Sequence, residues 1–499
     1  MKDQEPVISF THVSFRYDGQ SKDSLADINL NIIKGEFIVI TGQSGCGKTT
    51  LTRCINNLIP GFFEGELSGD VLVSGHSIKD SNAGEAGKMI ASIFQDPRSQ
   101  FFTTNSSSEV AFACENYGIE HDEIVKRVDK AFGSMKMDNL KNRDIFSLSS
   151  GERQKIAFLA ATTLDPEIYV LDEPSANLDI YTILQVRKLL LRLKEAGHTI
   201  IISEHRLFYL NGLADRFLIM NEGRITEELT CDEMNRLSAE QMHLRKLRSL
   251  NIDTISMQQK EQRGIREELL VIRDLSFAYQ NMPELLQNIS FRGNKGETIA
   301  LVGENGSGKT TLGKILAGLI RCRRGEFLVA GKKVRQHRLS DYVYFVMQEA
   351  DHQLYTACVT EELMLGNKKI ADIEGKISRV LEMLHLAGYK DHHPYALSGG
   401  QKQRLTIGTA MISEKPVIVL DEPTSGLDWE NMCAVADAVN HLRDMGKLVF
   451  IITHDLEFLS LTASRALLMK DGMIKEDLFM ASDDDLQIIK NFMLREGGE

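Results

Sequence analysis

The runs Gly42-Gln-Ser-Gly-Cys-Gly-Lys-Thr49 and Gly303-Glu-Asn-Gly-Ser-Gly-Lys-Thr310 share one glycine-rich pattern that ends in lysine and threonine. Each follows a short apolar segment, Phe37-Ile-Val-Ile40 or Ile299-Ala-Leu-Val302, of the length expected of a buried strand. A glycine-rich turn between a strand and a helix lets backbone N–H groups surround a phosphate, and the helix N-terminus adds partial positive charge. The pattern therefore predicts two phosphate-binding loops, each within an α/β unit.

The last residues of each loop suit nucleotide chemistry. Lys48 and Lys309 are expected to reach the β and γ phosphates of ATP, and the hydroxyls of Thr49 and Thr310 to ligate Mg²⁺. The predicted ATP-binding residues of the two loops are Gly42, Gln43, Ser44, Gly45, Cys46, Gly47, Lys48, Thr49 and Thr50, and Gly303, Glu304, Asn305, Gly306, Ser307, Gly308, Lys309, Thr310 and Thr311.

The rest of the chain repeats as well. Later landmarks recur at one constant spacing, which relates Leu148 to Leu397 and His205 to His454. We therefore expect a first domain over residues 1–228, a polar linker with some helix over 229–266, and a second domain over 267–499.

An apolar strand that ends in two acids follows in each half. Asp172-Glu173 and Asp421-Glu422 occupy these ends. The aspartates suit the Mg²⁺ shell, and the glutamates can polarise the water that attacks the γ phosphate. The alternative is an exposed acidic turn, which the repeat of the same neighbours in both halves disfavours.

Composition excludes several classes of protein. The longest aliphatic runs are far shorter than the roughly 20 residues of a bilayer-spanning helix. The N-terminal residues lack the apolar region of a secretory signal, so the cytoplasm is expected. A net charge of −12 disfavours broad nucleic-acid binding. The seven cysteines are scattered singly, which argues against a disulfide framework or a zinc site.

Two further runs carry a family resemblance. Leu148-Ser-Ser-Gly-Glu-Arg-Gln154 and Leu397-Ser-Gly-Gly-Gln-Lys-Gln-Arg404 resemble the signature motif of ATP-binding-cassette (ABC) proteins, and the resemblance covers nearly the whole chain. It implies an α/β fold of two tandem P-loop ABC ATPase domains. Each would contain a RecA-like parallel sheet core, an antiparallel β subdomain and a helical signature subdomain. It also implies that the halves pack head to tail, with each ATP between one half's P-loop and the other's signature.

The resemblance assigns roles to further residues. It implies that Tyr17 and Tyr279 stack on adenine, and that Ser149, Gly151, Ser398 and Gly400 of the signatures contact ATP. It matches Gln95 and Gln348 to the Q-loop, and Ser175-Ala-Asn-Leu-Asp179 and Thr424-Ser-Gly-Leu-Asp428 to the D-loop. The predicted catalytic residues are Glu173, His205, Glu422 and His454, the histidines being the family's switch histidines. The predicted Mg²⁺ ligands are Thr49, Gln95, Asp172, Thr310, Gln348 and Asp421.

The two predicted sites are not identical. In the first signature Ser150 replaces a glycine and Glu152 replaces a glutamine, so the site that uses this signature is expected to be slower. Because both halves keep the lysine, aspartate, glutamate and histidine, we expect both to hydrolyse ATP.

A second glutamine follows each Q-loop glutamine, at Gln100 and Gln353, with acid-rich turns after it at Ser108-Glu-Val and Thr360-Glu-Glu. Together with Glu204-His205-Arg206, this is similar to the ATPase subunits of energy-coupling-factor (ECF) transporters, which import vitamins and metal ions such as cobalt or nickel. That resemblance implies a transmembrane coupling protein and a small substrate-binding membrane protein as partners, and a peripheral location on the cytoplasmic face of the cell membrane.

Two alternatives remain open. One is the fused ATPase of a sugar importer, whose second cassette is commonly the degenerate one, whereas here the first signature is the more altered. The other is a soluble tandem-cassette translation factor that acts on the ribosome. Such factors carry a long charged linker and basic surfaces, whereas this chain is acidic.

Overall fold

The computed structural model describes residues 5–80, 83–95, 97–176, 178–258, 267–367 and 371–494. Asn177 of the first D-loop, residues 259–266 of the predicted linker and the side chain of Ser150 lie outside the described residues. Residues up to 252, apart from 179–181, form one compact unit, and residues 179–181 with those from 253 onward form a second.

The first half contains ten strands and eight helices among its described residues. The strands are β1 (Pro6–Tyr17), β2 (Leu25–Ile33), β3 (Phe37–Gly42), β4 (Gly65–Val73), β5 (His76–Ser77), β6 (Ile90–Ile93), β7 (Ile168–Asp172), β8 (Thr199–Ser203), β9 (Arg216–Asn221) and β10 (Arg224–Thr230). The helices are α1 (Lys48–Ile55), α2 (Ala83–Met89), α3 (Ser106–Asn116), α4 (His121–Ser134), α5 (Ser150–Thr162), α6 (Ile180–Glu195), α7 (Cys231–Asn235) and α8 (Ala239–Leu244).

The second half contains ten strands and seven helices among its described residues. The strands are β11 (Glu268–Ala278), β12 (Glu284–Asn294), β13 (Thr298–Gly303), β14 (Arg324–Val329), β15 (Lys332–Lys333), β16 (Val343–Val346), β17 (Val417–Asp421), β18 (Leu448–Ile452), β19 (Arg465–Lys470) and β20 (Met473–Phe479). The helices are α9 (Lys309–Leu316), α10 (Val359–Met364), α11 (Ile373–Met383), α12 (Gly399–Ile412), α13 (Trp429–Asp444), α14 (Leu456–Thr462) and α15 (Asp483–Leu494).

Each half builds the same two sheets. The six-stranded sheets have the orders β10-β9-β3-β8-β7-β6 and β20-β19-β13-β18-β17-β16, parallel except at the β10 and β20 edges. The four-stranded antiparallel sheets have the orders β2-β1-β4-β5 and β12-β11-β14-β15. The predicted α/β fold, with a parallel sheet and an antiparallel sheet in each half, is confirmed.

The apolar runs before the P-loops are strands buried on both faces, as expected of parallel sheets covered on both sides. Ile38 and Ile40 pack with α1 and the antiparallel sheet, while Phe37 and Val39 face the core that contains α5 and α6. This alternation follows from the two-residue period of a strand. It places the P-loop strand in the middle of each half.

Two sequence expectations need correction or extension. The predicted acid-rich turns are helical, since Glu109 lies in α3 and Glu362 lies in α10. Residues after 230 form α7 and α8, and Met242 and Leu247 join the core of the first half. The domain boundary at 228 stays a prediction. No helix among the described residues combines the length and hydropathy needed to span a bilayer.

Candidate nucleotide sites

The functional side chains lie where strands of the parallel sheets end. Gly42 ends β3, Asp172 ends β7 and Ser203 ends β8, and these strands are neighbours in one sheet. Because parallel strands point the same way, their carboxyl ends form one edge, where α/β proteins bind ligands. The second half repeats the arrangement with β13, β17 and β18.

Each P-loop begins at a glycine that no other residue can replace. Gly42 has a φ of 141°, and a Cβ built on it would lie 2.1 Å from the carbonyl oxygen of Met220. A Cβ on Gly303 would lie 2.2 Å from the carbonyl oxygen of Met469. Both clashes are with backbone, which cannot give way as a side chain can. The glycines let the loop pass beside the next strand.

The P-loop lysines are buried within their own loops. Lys48 Nζ donates to the carbonyl oxygens of Gly42 and Gln43 at 3.1 and 2.9 Å. Lys309 Nζ donates to the carbonyl oxygens of Gly303 and Glu304 at 2.6 and 2.8 Å. Burial lowers the pKa of Lys309. An ammonium group buried among neutral carbonyls gains a charge partner when a phosphate binds beside it.

The other loop residues form the turn between strand and helix. The Cys46 amide donates to the Gln43 carbonyl, and the Ser307 amide donates to the Glu304 carbonyl, both at 3.2 Å. Ser44 and Gly45, and Asn305 and Gly306, lie within these turns. Gly47 and Gly308 are the left-handed residues directly before α1 and α9.

Threonine and aspartate meet in both halves as predicted for Mg²⁺ ligands. Thr49 Oγ1 donates to Asp172 Oδ1 at 3.3 Å, and Thr310 Oγ1 donates to Asp421 Oδ1 at 3.1 Å. Burial raises the pKa of Asp172 and raises that of Asp421 to about 6. A hydroxyl beside a buried carboxylate is the hard oxygen set that Mg²⁺ prefers, and its charge would offset the burial of the carboxylate. The residues therefore fit the ion.

The predicted catalytic glutamates and histidines also come together. Glu173 Oε1 lies 3.3 Å from His205 Nε2, and Glu422 Oε1 lies 3.6 Å from His454 Nε2. Both glutamates have a left-handed backbone, with φ of 44° and 47°. This conformation is uncommon for non-glycine residues. It follows directly on the strand end and orients each carboxylate towards its histidine.

The Q-loop glutamines lie two residues after the ends of β6 and β16, the corresponding edge strands of the two halves. Gln95 Nε2 donates to Glu173 Oε2 at 2.8 Å, so this amide lies at the catalytic carboxylate. Gln348 is exposed two residues after the end of β16. The structure therefore brings Gln95 directly to its predicted site. Mg²⁺ ligation by both glutamines stays a prediction.

The two tyrosines lie over the helix that follows each P-loop. Tyr17 Oη and Thr50 Oγ1 are 3.2 Å apart, and Tyr279 Oη and Thr311 Oγ1 are also 3.2 Å apart. Arg53 Nη1 donates to Tyr17 Oη at 2.9 Å. Tyr279 is 44% exposed. A ring held by its hydroxyl beside the loop suits a flat base, and stacking on adenine stays a prediction.

The signature serines begin helices. Ser149 and Ser398 are the N-cap residues of α5 and α12, with Gly151 and Gly400 in the first turn. Glu152 Oε2 accepts from both the amide and the hydroxyl of Ser149, at 2.8 and 2.9 Å. The carboxylate thus completes a capping box. The pairing of each signature with the P-loop of the other half stays a prediction.

A carboxylate residue next to each switch histidine has a role that the sequence did not assign. Buried Glu204 accepts from the Ser175 amide at 3.3 Å and from Tyr209 Oη at 2.7 Å. In the second half, Asp455 accepts from Thr424 Oγ1 at 3.0 Å. In both halves a carboxylate therefore links the D-loop to the loop that carries the switch histidine. The carboxylate belongs to the residue before the histidine in the first half and to the residue after it in the second. The sequence does show that Glu204-His205-Arg206 differs from Thr453-His454-Asp455, its counterpart in the second half, and this difference could have pointed to the two carboxylates.

Comparison with known proteins gives consistent findings. A family model described as ABC transporter matches residues 25–176 and 286–425. A "Putative ABC transporter ATP-binding protein" of Treponema denticola is 39% identical over 97% of this chain and 99% of its own length. The "Putative HMP/thiamine import ATP-binding protein YkoD" of Bacillus subtilis is 30% identical over 94% of this chain and 90% of its own. A solved model of ribosome-bound archaeal Pelota and ABCE1 has a TM-score of 0.68 at 22% identity, covering 97% of this chain and 80% of that one.

Proposed function

The chain belongs to the ABC transporter family and is an ATPase that uses ATP with Mg²⁺, and we propose that it powers an importer of the energy-coupling-factor type. In this proposal ATP binding closes the two halves and hydrolysis opens them. The motion drives a transmembrane coupling protein and a small substrate-binding membrane protein on separate chains. The imported substrate is a vitamin or a metal ion such as cobalt or nickel.

The observation that carries the proposal is the complete catalytic set in each half. Each half holds a P-loop lysine, a threonine–aspartate pair and a glutamate whose Oε1 lies within 3.6 Å of a histidine Nε2. A protein that used ATP only as a fixed structural ligand would not need two glutamate–histidine pairs. Two complete sets support repeated hydrolysis by halves that pair with each other.

The residues have distinct tasks in this mechanism. Lys48 neutralises the β and γ phosphates, and Thr49 with Asp172 would hold Mg²⁺, which supplies further charge neutralisation. Glu173 orients the attacking water and accepts its proton, while His205 holds the carboxylate in place. The second half repeats each task. Loss of the γ phosphate removes the charge that holds the closed state.

Exposed aromatic residues near the Q-loops support protein partners for both halves. Phe102 and Phe146 are 75% and 78% exposed, and Tyr355 and Tyr395 are 75% and 55% exposed. In the first half the segments that carry them are joined by the Ile145 amide, which donates to the Thr104 carbonyl. Clustered exposed aromatics are typical of interaction surfaces. Matched clusters fit membrane partners that engage both halves at the cytoplasmic face.

The relatives support transport rather than another ATPase task. The Bacillus subtilis relative carries the name of an HMP/thiamine import protein, which is consistent with a vitamin as the substrate. The likeness to ribosome-bound ABCE1 lies below 25% identity and concerns the fold alone.

The test is affinity purification of the tagged chain from membranes in mild detergent, with identification of the proteins and small molecules that accompany it. We expect a polytopic coupling protein and a small hydrophobic binding protein. Replacing Phe102 and Tyr355 with serine should release both partners, whereas Phe62→Ser, at an equally exposed phenylalanine, should retain them. Recovery of conventional sugar permeases would favour a sugar importer. Co-sedimentation with ribosomes in the presence of ATP would favour a translation factor.

A further inference from the structure

A group of basic side chains lies on the antiparallel sheet of the second half and on the loops that flank β14 and β15. We define the basic patch as Arg321, Arg323, Arg324, Lys332, Arg335 and Arg338, all of which are exposed. Arg324 begins β14 and Lys332 begins β15, the edge strand. Arg335 and Arg338 lie just beyond β15, around a 3₁₀ turn at Gln336–Asp341.

Gln336 holds the two arginine-rich segments together. Its Nε2 donates to the Ile320 carbonyl at 2.6 Å, and its Oε1 accepts from the Cys322 amide at 3.0 Å. Both contacts reach across to the loop before β14, so Arg321 and Arg323 lie beside Arg335. The patch is therefore one surface and not two separate charged loops.

Few acids offset this charge. Asp341 pairs with Arg338 at 2.5 Å, and Glu326 pairs with Lys333 at 2.8 Å. Among the described residues, no acidic side chain lies within ion-pair distance of Arg321, Arg323, Arg324, Lys332 or Arg335. Unpaired like charges repel one another, so the patch carries an electrostatic cost that an anionic partner would remove.

The first half provides an internal control. Residues 56–80 and 317–341 are windows of equal length that start directly after α1 and α9. The second window contains seven lysines and arginines and two acids, whereas the first contains Lys79 and four acids, Glu64, Glu66, Asp70 and Asp80. Both windows build the same sheet beside the same kind of site. Neither the fold nor ATP chemistry therefore requires the basic charge.

The chemistry around the patch indicates the partner. Leu319, two residues before Arg321, is 54% exposed. Residues 317–341 contain one phenylalanine, Phe327, and no tyrosine or tryptophan, and Phe327 is buried at 3% exposure. RNA-binding surfaces use exposed aromatic rings to stack bases, and this surface offers none. Arginines beside an exposed leucine match a surface that binds lipid phosphates and inserts an apolar side chain among the headgroups.

We propose that the basic patch binds the headgroups of anionic phospholipids and holds the second half at the membrane surface. The chain as a whole carries a net charge of −12, so a membrane of the same sign would repel it without such a patch. The binding needs no protein partner, and it is therefore separable from the proposed role in an importer.

The test is flotation of the full chain with lipid vesicles. We expect binding to vesicles of phosphatidylcholine with phosphatidylglycerol, no binding to pure phosphatidylcholine, and loss of binding at high salt. The triple variant Arg321→Gln, Arg323→Gln, Arg335→Gln should bind about a hundredfold more weakly, because each basic residue near an anionic surface contributes about a factor of five.

The matched control is Lys126→Gln, Lys130→Gln, Lys188→Gln, which removes the same charge from exposed positions of the first half. It should bind as the unaltered chain does, and all variants should keep ATPase activity. Equal binding by both triple variants, or no binding of the unaltered chain to anionic vesicles, would overturn the proposal. The unaltered chain could instead bind duplex RNA more tightly than vesicles, with this binding lost in the patch variant. That result would identify RNA, and not lipid, as the partner of the basic patch.

Discussion

At the scale of single residues, the glutamates after β7 and β17 show how a strand end becomes a catalytic position. Glu173 and Glu422 each donate their backbone amide to a carbonyl of the neighbouring strand at 2.9 Å. That bond holds the left-handed turn, which aims the carboxylate at the histidine. Because the geometry is the same in both halves, we predict that both hydrolyse ATP.

The Glu173→Gln and Glu422→Gln variants test this directly. Each should lower total ATPase activity, and together they should lower it by about a hundredfold or more, because glutamine cannot accept the proton of the attacking water. ATP binding should persist in both variants, since the P-loop lysines are unchanged. The measurement is steady-state ATPase activity beside equilibrium nucleotide binding. A single variant with full activity would contradict hydrolysis at that half.

Asp421, a predicted Mg²⁺ ligand, is expected to reduce the stability of the protein in the absence of the ion. Burial raises its pKa to about 6, above the value of about 3.9 for an unfolded chain. The folded state therefore binds the proton more tightly, and stability falls as pH rises from about 4 to 6, by about 3 kcal/mol in all. Above pH 6 this loss is complete.

Asp421→Asn should therefore raise the melting temperature of the nucleotide-free protein at neutral pH by several degrees, while it lowers Mg²⁺-dependent ATPase activity. The gain should shrink as pH falls from 6 towards 4, where the unaltered carboxyl is protonated. Thermal unfolding across this pH range checks both statements. Asp437→Asn, an exposed acid on α13, should leave the melting temperature unchanged. Equal melting temperatures for Asp421→Asn and the unaltered chain would refute the account.

At the scale of elements, each segment after the Q-loop is fixed by a glutamine and a buried glutamate. Gln353 Oε1 accepts from the Met347 amide at 3.0 Å. Glu362, buried in α10, accepts from the Tyr355 and Thr356 amides at 2.9 Å each. In the first half Glu109 accepts from two amides in the same way. These side chains hold the exposed aromatic residues in place.

Glu362→Ala should release the segment that carries Tyr355. Removing the carboxylate leaves the two partly buried amides of Tyr355 and Thr356 without their acceptor, which should cost about 2 to 4 kcal/mol. Hydrogen exchange should show protected Tyr355 and Thr356 amides in the unaltered chain and much faster exchange in the variant. Glu361→Ala changes the exposed neighbouring acid and should leave protection intact. Unchanged protection in Glu362→Ala would show that the segment is held by other contacts.

Much of this arrangement could be predicted from local pattern. Glycine spacing, apolar runs and strand-end acids identified β3, β7 and their counterparts, because P-loop chemistry demands particular residues at fixed positions. Glu204 and Asp455 could not be assigned, since they occupy different positions relative to the histidine and only packing shows that they bind the same loop. The role of Glu362 depends on amides six and seven residues earlier in the chain. Residues that hold other residues in place leave a weaker pattern than residues that contact a ligand.

At the scale of the whole molecule, the internal repeat distinguishes features that ATP chemistry requires in both halves from features that only one half has. Both halves have the same sheet orders, and both bring lysine, aspartate, glutamate and histidine to the same edge. The windows after the P-loop helices differ in charge, and α7 and α8 end the first half while α15 ends the described part of the second. Features present once in such a repeat point to partners or to the connection between halves, since ATP chemistry requires only what is present twice.

The end of the first half provides the last prediction. Met234, Met242, Leu247 and Leu250 are at most 6% exposed and pack in the core of that half. Burying a side chain of this kind contributes about 1.5 to 3 kcal/mol, so their sum is comparable to the 5–15 kcal/mol that stabilises a typical domain. A fragment of residues 1–252 should therefore fold with a cooperative melting transition, whereas a fragment of residues 1–228 should aggregate or melt at a far lower temperature.

In the full chain, Leu247→Asp should destabilise the first half, while Leu244→Asp, at an 80% exposed leucine, should not. Equal melting of the two fragments would place the boundary at 228 and make residues 231–250 part of the linker.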